Sequence, residues 1–196
     1  MKTNCFAFRA VFFCVAATII SLTSKAQLDK GTWLIGGSGS FSSITNHYSG
    51  GSTNFDSDVT EINISPVVGY FLFDKFSAGL KPSYTTSEQR DIQNSWSDVK
   101  RFEIGPFARY YFLDKEKLFN ILVDATYQYG KSKLTGEKGN SNTVSLMAGP
   151  VLYFNSSVAL EFLFGYYKSK ESYGMFNREQ DGLKISLGFQ FHLEKK

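Results

Sequence analysis

The side chains best suited to chemistry in this sequence are two histidines and a set of regularly placed carboxylates. His47 is followed closely by Ser49. Either Asp56 or Asp58 could complete a Ser-His-acid triad with them. Such a triad works only when the base lies within hydrogen-bond reach of its nucleophile. The stretch is rich in serine and carries no strand motif that would fix this geometry, so we interpret His47 as a solvated loop residue and predict no catalytic residues.

No other motif in the sequence points to a bound metal or cofactor. There is no cluster of Cys and His, no Gly-rich phosphate loop and no paired-carboxylate motif. We therefore expect no cofactor, and we interpret the regularly placed acids as ion-pair partners rather than general acids. These acids are Glu61, Glu103, Asp124 and Glu161.

The start of the chain has the layout of a secretory signal peptide. Lys2 and Arg9 lead into an apolar run at 10–22, and Ser24 and Ala26 are the small residues that precede a cleavage site. The apolar run is shorter than the roughly 20 residues that a membrane-spanning helix needs. We predict a cleaved signal at 1–26 and a single mature domain at 27–196.

Cleavage would change the charge and the cysteine content of the chain. The full sequence has 21 Lys and Arg against 18 Asp and Glu. Lys2, Arg9 and Lys25 leave with the signal, so the mature chain carries no net charge, and we expect no nucleic-acid partner. Cys5 and Cys14 leave as well, which removes disulfide and thiolate chemistry.

Beyond the signal, apolar and polar residues alternate with the period of two that is typical of β-strands. The clearest case is the last strand, in which six apolar residues from Leu183 to Leu193 alternate with polar or small ones. Seven further stretches share the pattern. The predicted strands cover 33–41, 61–72, 76–85, 101–112, 119–129, 144–154, 158–166 and 183–193.

The connections between these strands alternate in length. Those at 74–75, 114–117 and 155–156 are tight, and those at 42–57, 88–97, 132–142 and 169–180 are long and polar. Short turns on one side and long loops on the other are typical of outer-membrane barrels. We predict an all-β fold, an eight-stranded antiparallel up-and-down transmembrane β-barrel.

The mature chain as a whole resembles the small eight-stranded outer-membrane β-barrel family of the OmpA-transmembrane and OmpX type, especially the barrel domains of Bacteroidota. The last strand is also similar to the C-terminal assembly signal of such barrels, through Ser186, Gly188, Phe191 and Leu193. The resemblance implies export through the periplasm into the cell outer membrane. It also implies contact with the barrel-assembly machinery and with outer-membrane lipid.

A soluble lipocalin-like barrel could show the same alternation with its apolar face turned inward. The apolar faces here carry no charge, which suits lipid, where Lys or Arg at mid-depth costs about 2–4 kcal/mol. The polar faces carry small residues and balanced charges, which suit the narrow lumen of an eight-stranded barrel. We therefore prefer the membrane barrel and assign eight charges to its interior: Glu61, Lys81, Arg101, Glu103, Arg109, Asp124, Glu161 and Lys184.

Ionised groups in a narrow interior must be paired, because an unpaired buried charge is strongly destabilising. The four acids and four bases allow full pairing, so we predict an ion-pair network that plugs the lumen. We expect little conductance, rising when Arg101 or Arg109 is truncated. Which acid meets which base depends on the barrel shear.

Two further features concern the lipid-facing surface. Aromatic residues near both strand ends predict the two girdles of a membrane barrel. The predicted girdle residues are Tyr70, Tyr84, Tyr110, Phe112, Tyr127, Tyr129 and Tyr166.

The prolines are harder to place, since all four lie on apolar strand faces although proline cannot donate to the ladder. They are Pro66, Pro82, Pro106 and Pro150.

Three classes of function remain open. The first is a structural or surface-interaction barrel whose loops contact a protein or a glycan. The second is a conduit for small or hydrophobic solutes of the OmpW type, which we rank lower because bulky residues such as Phe107 and Tyr111 are assigned to the lumen. The third is a lipid A-modifying hydrolase or acyltransferase, for which only His47 and His192 are available. We interpret His192 as a polar residue at the lumen rim.

The C-terminal signal gives a test of location. Replacing Phe191 and Leu193 together with Asp should abolish outer-membrane insertion, because charge would enter the lipid face and the assembly signal would be lost. Heat-modifiable gel migration of the membrane fraction measures this, since a closed barrel migrates differently before and after boiling. Normal insertion of the double variant would contradict the assignment.

Overall fold

The computed structural model describes residues 28–50, 53–90, 96–134, 136–174 and 176–193. The predicted signal peptide at 1–26 lies outside the described residues, as do the strand side chains at 43–50, 53–59, 88–90, 96–97 and 176. None of the described residues belongs to a helix long and apolar enough to cross a membrane. They form eight strands: β1 (Trp33–Gly50), β2 (Thr53–Phe73), β3 (Phe76–Arg90), β4 (Trp96–Tyr111), β5 (Phe119–Leu134), β6 (Glu137–Tyr153), β7 (Val158–Tyr173) and β8 (Phe176–Leu193).

These strands make one closed antiparallel sheet. Each strand pairs with its neighbours in sequence, and β8 returns to pair with β1. In this closing pair, Trp33 lies opposite Leu193 and Ile35 lies opposite Phe191. Closure removes the sheet edges, which would otherwise present unpaired N–H and C=O groups. The predicted architecture, an eight-stranded antiparallel up-and-down barrel, is confirmed.

Side chains point alternately into the barrel and away from it, because successive residues of a strand face opposite sides of the sheet. On β4, Arg101, Glu103 and Arg109 are buried, whereas Phe102 and Ile104 are 57% and 48% exposed. The apolar face of each strand is therefore the outer surface of the barrel. A soluble ligand-binding barrel has the opposite arrangement.

At one end of the barrel, called the hairpin end, the strands run well past their predicted limits. Two residues separate β1 from β2, β5 from β6 and β7 from β8, and five separate β3 from β4. The prediction of long loops at 42–57, 88–97, 132–142 and 169–180 is therefore wrong, because most of these residues continue the ladder. The apolar alternation reports only the part of a strand with an apolar outer face. Farther out both faces are polar, and the pattern no longer marks the strand.

At the opposite end, called the short-turn end, the predicted turns fall within the observed connections at 74–75, 112–118 and 154–157. Lys75 adopts a φ of 64°, and its N–H donates to the carbonyl of Leu28 at 2.8 Å. Its ammonium lies 2.6 Å from Asp114, and this hydrogen bond lowers the pKa of Asp114 below its usual value. The chain before β1 and two successive turns are thus linked.

Pro66 and Pro82 share one local gap in the ladder. Between β2 and β3, no residue pair forms over the described positions 65–67 and 81–83. On their other sides, Pro66 stays paired with Gly37 and Pro82 with Ile104. Two residues without an N–H therefore face each other, and only one side of each strand loses its hydrogen bonds.

Pro106 and Pro150 produce similar gaps elsewhere in the barrel. The β4–β5 pairing skips 105–106, and the β6–β7 pairing skips 149–150. A Cβ added to Gly105 would clash with the carbonyl oxygen of Tyr127, so the glycine permits close approach of the two backbones there. Proline is tolerated in this closed sheet because its missing donors are confined to such gaps.

The tight hairpin between β5 and β6 can be tested with two glycines. Gly136 has a φ of +104°, whereas Gly39 lies within β1, and a Cβ added to either would meet no atom within 4 Å. Gly136→Ala should lower the free energy of unfolding by about 1–2 kcal/mol, because only the backbone conformation opposes it. Gly39→Ala should be neutral. Urea unfolding in lipid vesicles measures both, and a neutral Gly136→Ala would favour a loose loop.

Candidate functional site: the charged interior of the barrel

The interior begins at the short-turn end with an apolar layer. Leu28, Phe71, Tyr111 and Leu122 belong to one buried cluster and are each at most 1% exposed. The ring centroids of Phe71 and Tyr111 are 5.7 Å apart. These side chains come from the segment before β1 and from strands β2, β4 and β5. The lumen at this end is therefore filled by packed aromatic and aliphatic groups.

Next along the barrel lies the inner cluster, which consists of Lys81, Arg109, Asp124 and Glu161. Arg109 donates from Nε to Asp124 Oδ2 at 2.5 Å and from Nη1 to Glu161 Oε2 at 2.9 Å. Lys81 Nζ donates to Asp124 Oδ1 at 2.9 Å. Arg109 and Asp124 are 1% and 0% exposed. The cluster links β3, β4, β5 and β7 across the lumen, and its two cations balance its two anions.

Neutral side chains connect the inner cluster to the apolar layer. The amide of Gln190 donates to Glu161, and its Oε1 accepts the hydroxyl of Tyr111 at 2.8 Å. His192 Nε2 lies 3.1 Å from the same Gln190 oxygen, and its ring centroid lies 5.5 Å from that of Phe71. His192 is 1% exposed, so it packs inside this end of the lumen. Its surroundings indicate a structural role.

Closer to the hairpin end lies the outer cluster, which consists of Glu61, Arg101, Glu171 and Arg178. Arg101 donates to Glu61 and, from Nη1, to Glu171 Oε1 at 2.7 Å. Glu171 Oε2 accepts the hydroxyl of Tyr173 at 2.7 Å and lies 3.9 Å from Arg178 Nη1. This cluster is also neutral in sum. It joins β2, β4, β7 and β8.

The structure brings six of the eight predicted lumen charges into ion pairs, but full pairing is not observed. Among the described residues, neither Glu103 nor Lys184 has an opposite charge within 4 Å. Glu103 instead accepts the hydroxyl of Thr143 at 3.0 Å. Lys184 Nζ lies 5.3 Å from the centroid of the Tyr167 ring. Equal numbers of acids and bases therefore did not guarantee direct contacts.

Sequence reasoning missed Glu171 and Arg178 because both fall in the predicted loop at 169–180. Glu171 lies ten residues after Glu161 on the same strand and has the same inward parity. Extending the period of two past Tyr166 would therefore have placed it in the lumen. Glu171 was missed because the outer face of β7 is no longer apolar beyond Tyr166.

A small cavity of about 30 Å³ is lined by residues that include Asn63, Lys81 and Lys184 together with several serines. One water needs about 10–15 Å³ of such space, so the cavity can hold about two waters. It is too small for an organic solute. Both lysines can be hydrated there without an open channel.

The residues of the predicted assembly signal divide between the two faces of β8. Phe191 and Leu193 are about half exposed on the outer face, whereas Ser186 and Gly188 are buried. A Cβ on Gly188 would lie 2.7 Å from Glu161 Oε1 and 2.8 Å from the Gly37 carbonyl oxygen. Glycine at this position therefore leaves room for the carboxylate that binds Arg109.

The predicted girdle residues lie on the outer face at two levels. Towards the short-turn end, the rings of Tyr110 and Phe112 meet edge to face at 5.1 Å. Tyr70 packs against Trp33 at 5.2 Å, and Trp33 was not among the predicted residues although it is the outward-facing start of β1. Towards the hairpin end, the remaining girdle residues are 46–51% exposed: Tyr84, Tyr127, Tyr129 and Tyr166.

No catalytic arrangement emerges from the part of the chain that the structure describes. The described residues contain no group of three or more His, Cys, Asp or Glu placed to hold a metal ion. The backbone of His47 lies opposite Asp56 in the β1–β2 pairing. The side chains of the possible triad, His47, Ser49, Asp56 and Asp58, lie outside the described residues.

No protein-family model matches the chain, and no curated protein matches it in sequence. Its fold is similar to that of the outer membrane protein OprG from Pseudomonas aeruginosa, with a TM-score of 0.53 and 13% identity over 88% of this chain and 100% of that one. Two other solved barrels match with TM-scores of 0.48 and 0.37, each at 14% identity: Neisserial surface protein A and the N-terminal domain of Pseudomonas aeruginosa OprF. The first covers 83% of this chain and 97% of its own, and the second covers 84% and 98%. The likeness to OprG supports the fold.

The inner cluster predicts that Arg109→Met and Lys184→Met have unequal effects on the stability of the barrel. Arg109→Met should destabilise the barrel by about 3–5 kcal/mol, because Asp124 and Glu161 would lose a buried partner. Lys184→Met should change stability far less, since it breaks no ion pair among the described residues. Urea unfolding in lipid vesicles gives both values. Equal losses would argue against a dominant role for the ion pairs.

Proposed function

We propose that this chain is an integral outer-membrane β-barrel with a structural or surface-interaction role and an interior closed to ions. The proposal depends mainly on one feature, a continuous apolar belt on the outer surface of a closed sheet. The proposal has three parts: the membrane in which the barrel lies, the closure of its lumen and the role of its outer surface. Each part has its own support.

The apolar belt has the same height on four of the strands. The outward-facing residues run from Phe119 to Tyr129 on β5 and from Leu183 to Leu193 on β8, and no charged side chain interrupts them. On β4 and β6 they run from Phe102 and Val144 to Phe112 and Phe154, the first residues past the strand ends, again without a charge. Ten residue steps at the usual strand rise and tilt span about 25 Å, the height of the apolar band in known membrane barrels. Large exposed apolar surfaces mark contacts with lipid or with other proteins, and a belt that encircles a closed barrel favours lipid.

The outer membrane is the proposed location for two reasons. The first 26 residues have the layout of an export signal. OprG, whose fold is similar with a TM-score of 0.53, is by its name an outer membrane protein. Folded barrels satisfy every backbone hydrogen bond between strands, which allows them to cross lipid without a helix.

A closed interior is favoured over a conduit by the filling of the lumen. The outer cluster, the inner cluster and the apolar layer follow one another along the barrel. Arg101, Arg109, Tyr111 and Leu122 are each at most 2% exposed. The cavity of about 30 Å³ has room for about two waters. A solute would have to displace buried ion pairs and packed rings.

A surface-interaction role is favoured by the strand segments beyond the belt. β5 continues to Leu134 and β7 to Tyr173, and both carry lysines on the outer face there. These hairpins project a polar, ordered surface past the membrane. A protein or glycan partner, as inferred from the sequence, would meet this surface instead of long loops.

Planar-bilayer recordings test the closed interior. We expect no stable conductance from the wild-type barrel, and none from Arg101→Ala, because the inner cluster and the apolar layer remain in series below it. The sequence alone predicted that truncation of Arg101 would raise the conductance. The structure leads us to expect that this single truncation is not enough. Combined Arg109→Ala and Tyr111→Ala should raise conductance, since both layers would be opened.

Each sample must first show heat-modifiable migration, which separates a closed barrel from an unfolded one. A steady wild-type conductance would contradict the closed interior and favour the conduit. Absence of heat-modifiable migration in the wild-type membrane fraction would contradict the membrane barrel itself.

A further inference from the structure

Three lysines occupy one cross-strand row on the outer face of β4, β5 and β6. Lys100 lies opposite Lys133, and Lys133 lies opposite Lys138. Directly opposed residues have Cβ atoms about 4.5–5.5 Å apart, and like charges at this separation destabilise a sheet. Lys131, the previous outward-facing residue of β5, adds a fourth positive charge beside the row. The four residues are called the basic surface.

Only part of the basic surface is neutralised by the protein. Lys100 pairs with Asp98 at 2.8 Å, and Lys131 donates to the amide oxygen of Asn140 at 2.7 Å. Lys133 and Lys138 make no ion pair or hydrogen bond with any other residue that the structure describes. The repulsion between these two ammonium groups is therefore not offset by an ion pair within the described part of the chain.

A second lysine pair on the same outer face shows the contrast. Lys168 and Lys170 on β7 both contact Glu179 of β8, at 3.1 and 2.8 Å. One carboxylate on the neighbouring strand thus serves two lysines. Lys133 and Lys138, by contrast, have no carboxylate partner among the residues that the structure describes.

The basic surface also has a concave shape. A groove of about 700 Å³ is lined by its lysines together with Tyr84 and Phe102. Both rings are about half exposed. The groove therefore combines ammonium donors with an apolar aromatic floor, which suits an amphiphilic ligand better than a simple ion.

The height of the groove places it at the border of the apolar belt. Along the outer face of β5, Tyr127 and Tyr129 are followed at once by Lys131 and Lys133. Aromatic girdles mark the membrane–water interface, so the next residues lie at the level of lipid headgroups.

We propose that the basic surface binds the anionic, phosphorylated headgroup of a lipid in the surrounding leaflet. The proposal rests on the membrane insertion inferred above. Ammonium groups on three adjacent strands supply several donors to phosphate oxygens, and the bound anion relieves the repulsion within the lysine row. Tyr84 and Phe102 contact the apolar part of the lipid near its headgroup.

The experiment measures lipid binding to the purified, folded barrel in a neutral detergent. Dioleoyl phosphatidic acid is titrated and its adducts are counted by native mass spectrometry, with dioleoyl phosphatidylcholine as the zwitterionic comparison. Combined Lys133→Gln and Lys138→Gln should weaken binding of phosphatidic acid about 30-fold, the effect expected for two interfacial lysines. Binding of phosphatidylcholine should stay unchanged.

Two matched variants define the site. Combined Lys168→Gln and Lys170→Gln makes the same change in charge on the same outer face and should retain wild-type affinity, because those lysines are already paired with Glu179. Combined Lys133→Arg and Lys138→Arg should also retain affinity, since the positive charge and the donors remain.

Three outcomes would overturn the proposal. They are full affinity in the Lys133 and Lys138 glutamine variant, an equal loss in the Lys168 and Lys170 variant, and displacement of the lipid by inorganic phosphate at a similar concentration. Heat-modifiable migration of every variant keeps this test separate from the proposed function. A wild-type chain that showed no such migration would refute membrane insertion, whereas folded variants that bind alike would refute only the lipid site.

Discussion

Closure of the sheet is the constraint on which the rest of this structure depends. In contact with lipid, each backbone N–H and C=O must find its partner within the protein, and a barrel provides this only when its last strand pairs with its first. The pairing of β8 with β1 meets that requirement along the belt, from Trp33–Leu193 to Phe41–Ile185. The proline gaps are local exceptions. They interrupt one side of a strand while the other side stays paired, so the sheet remains continuous around the barrel.

Closure with eight strands leaves an interior that side chains can fill, and this determines how the charges must behave. Arg109 donates to carboxylates on two other strands, and Lys81 completes the balance around Asp124. An apolar interior of equal volume could be as stable, because desolvation offsets much of the Coulomb attraction in a buried pair. What the ion pairs add is a geometric requirement. Gly188 shows it, since a side chain there would push against the Glu161 carboxylate and the neighbouring backbone.

The sequence was sufficient to predict the barrel, because a period of two with an uncharged face leaves few architectures. It also predicted the inward direction of Arg101, Arg109 and their partners, since parity follows from strand assignment alone. It could not predict the contacts. Arg101 reaches Glu171, which lies in a segment predicted as a loop, and Glu103 lies on the same strand without an ionic partner among the described residues. Which side chains meet across a lumen depends on the stagger of strands distant in sequence, and hydrophobic alternation carries no information about that stagger.

The strand ends reveal why the alternation predicted the strands within the apolar belt and missed their continuation beyond it. In the proposed membrane barrel, lipid selects the outer face within the belt and the lumen selects the inner face, so the two alternate sharply. Past Tyr129 on β5 and Tyr166 on β7, the outer face becomes lysine-rich while the ladder continues unbroken. The change in composition that hid these strand segments is therefore not a change of secondary structure. In the proposed membrane barrel it is the change from lipid to water. Under the proposed insertion, lysines at this border keep the strand soluble beyond the belt and lie at the level of the lipid headgroups, as the proposed lipid site requires.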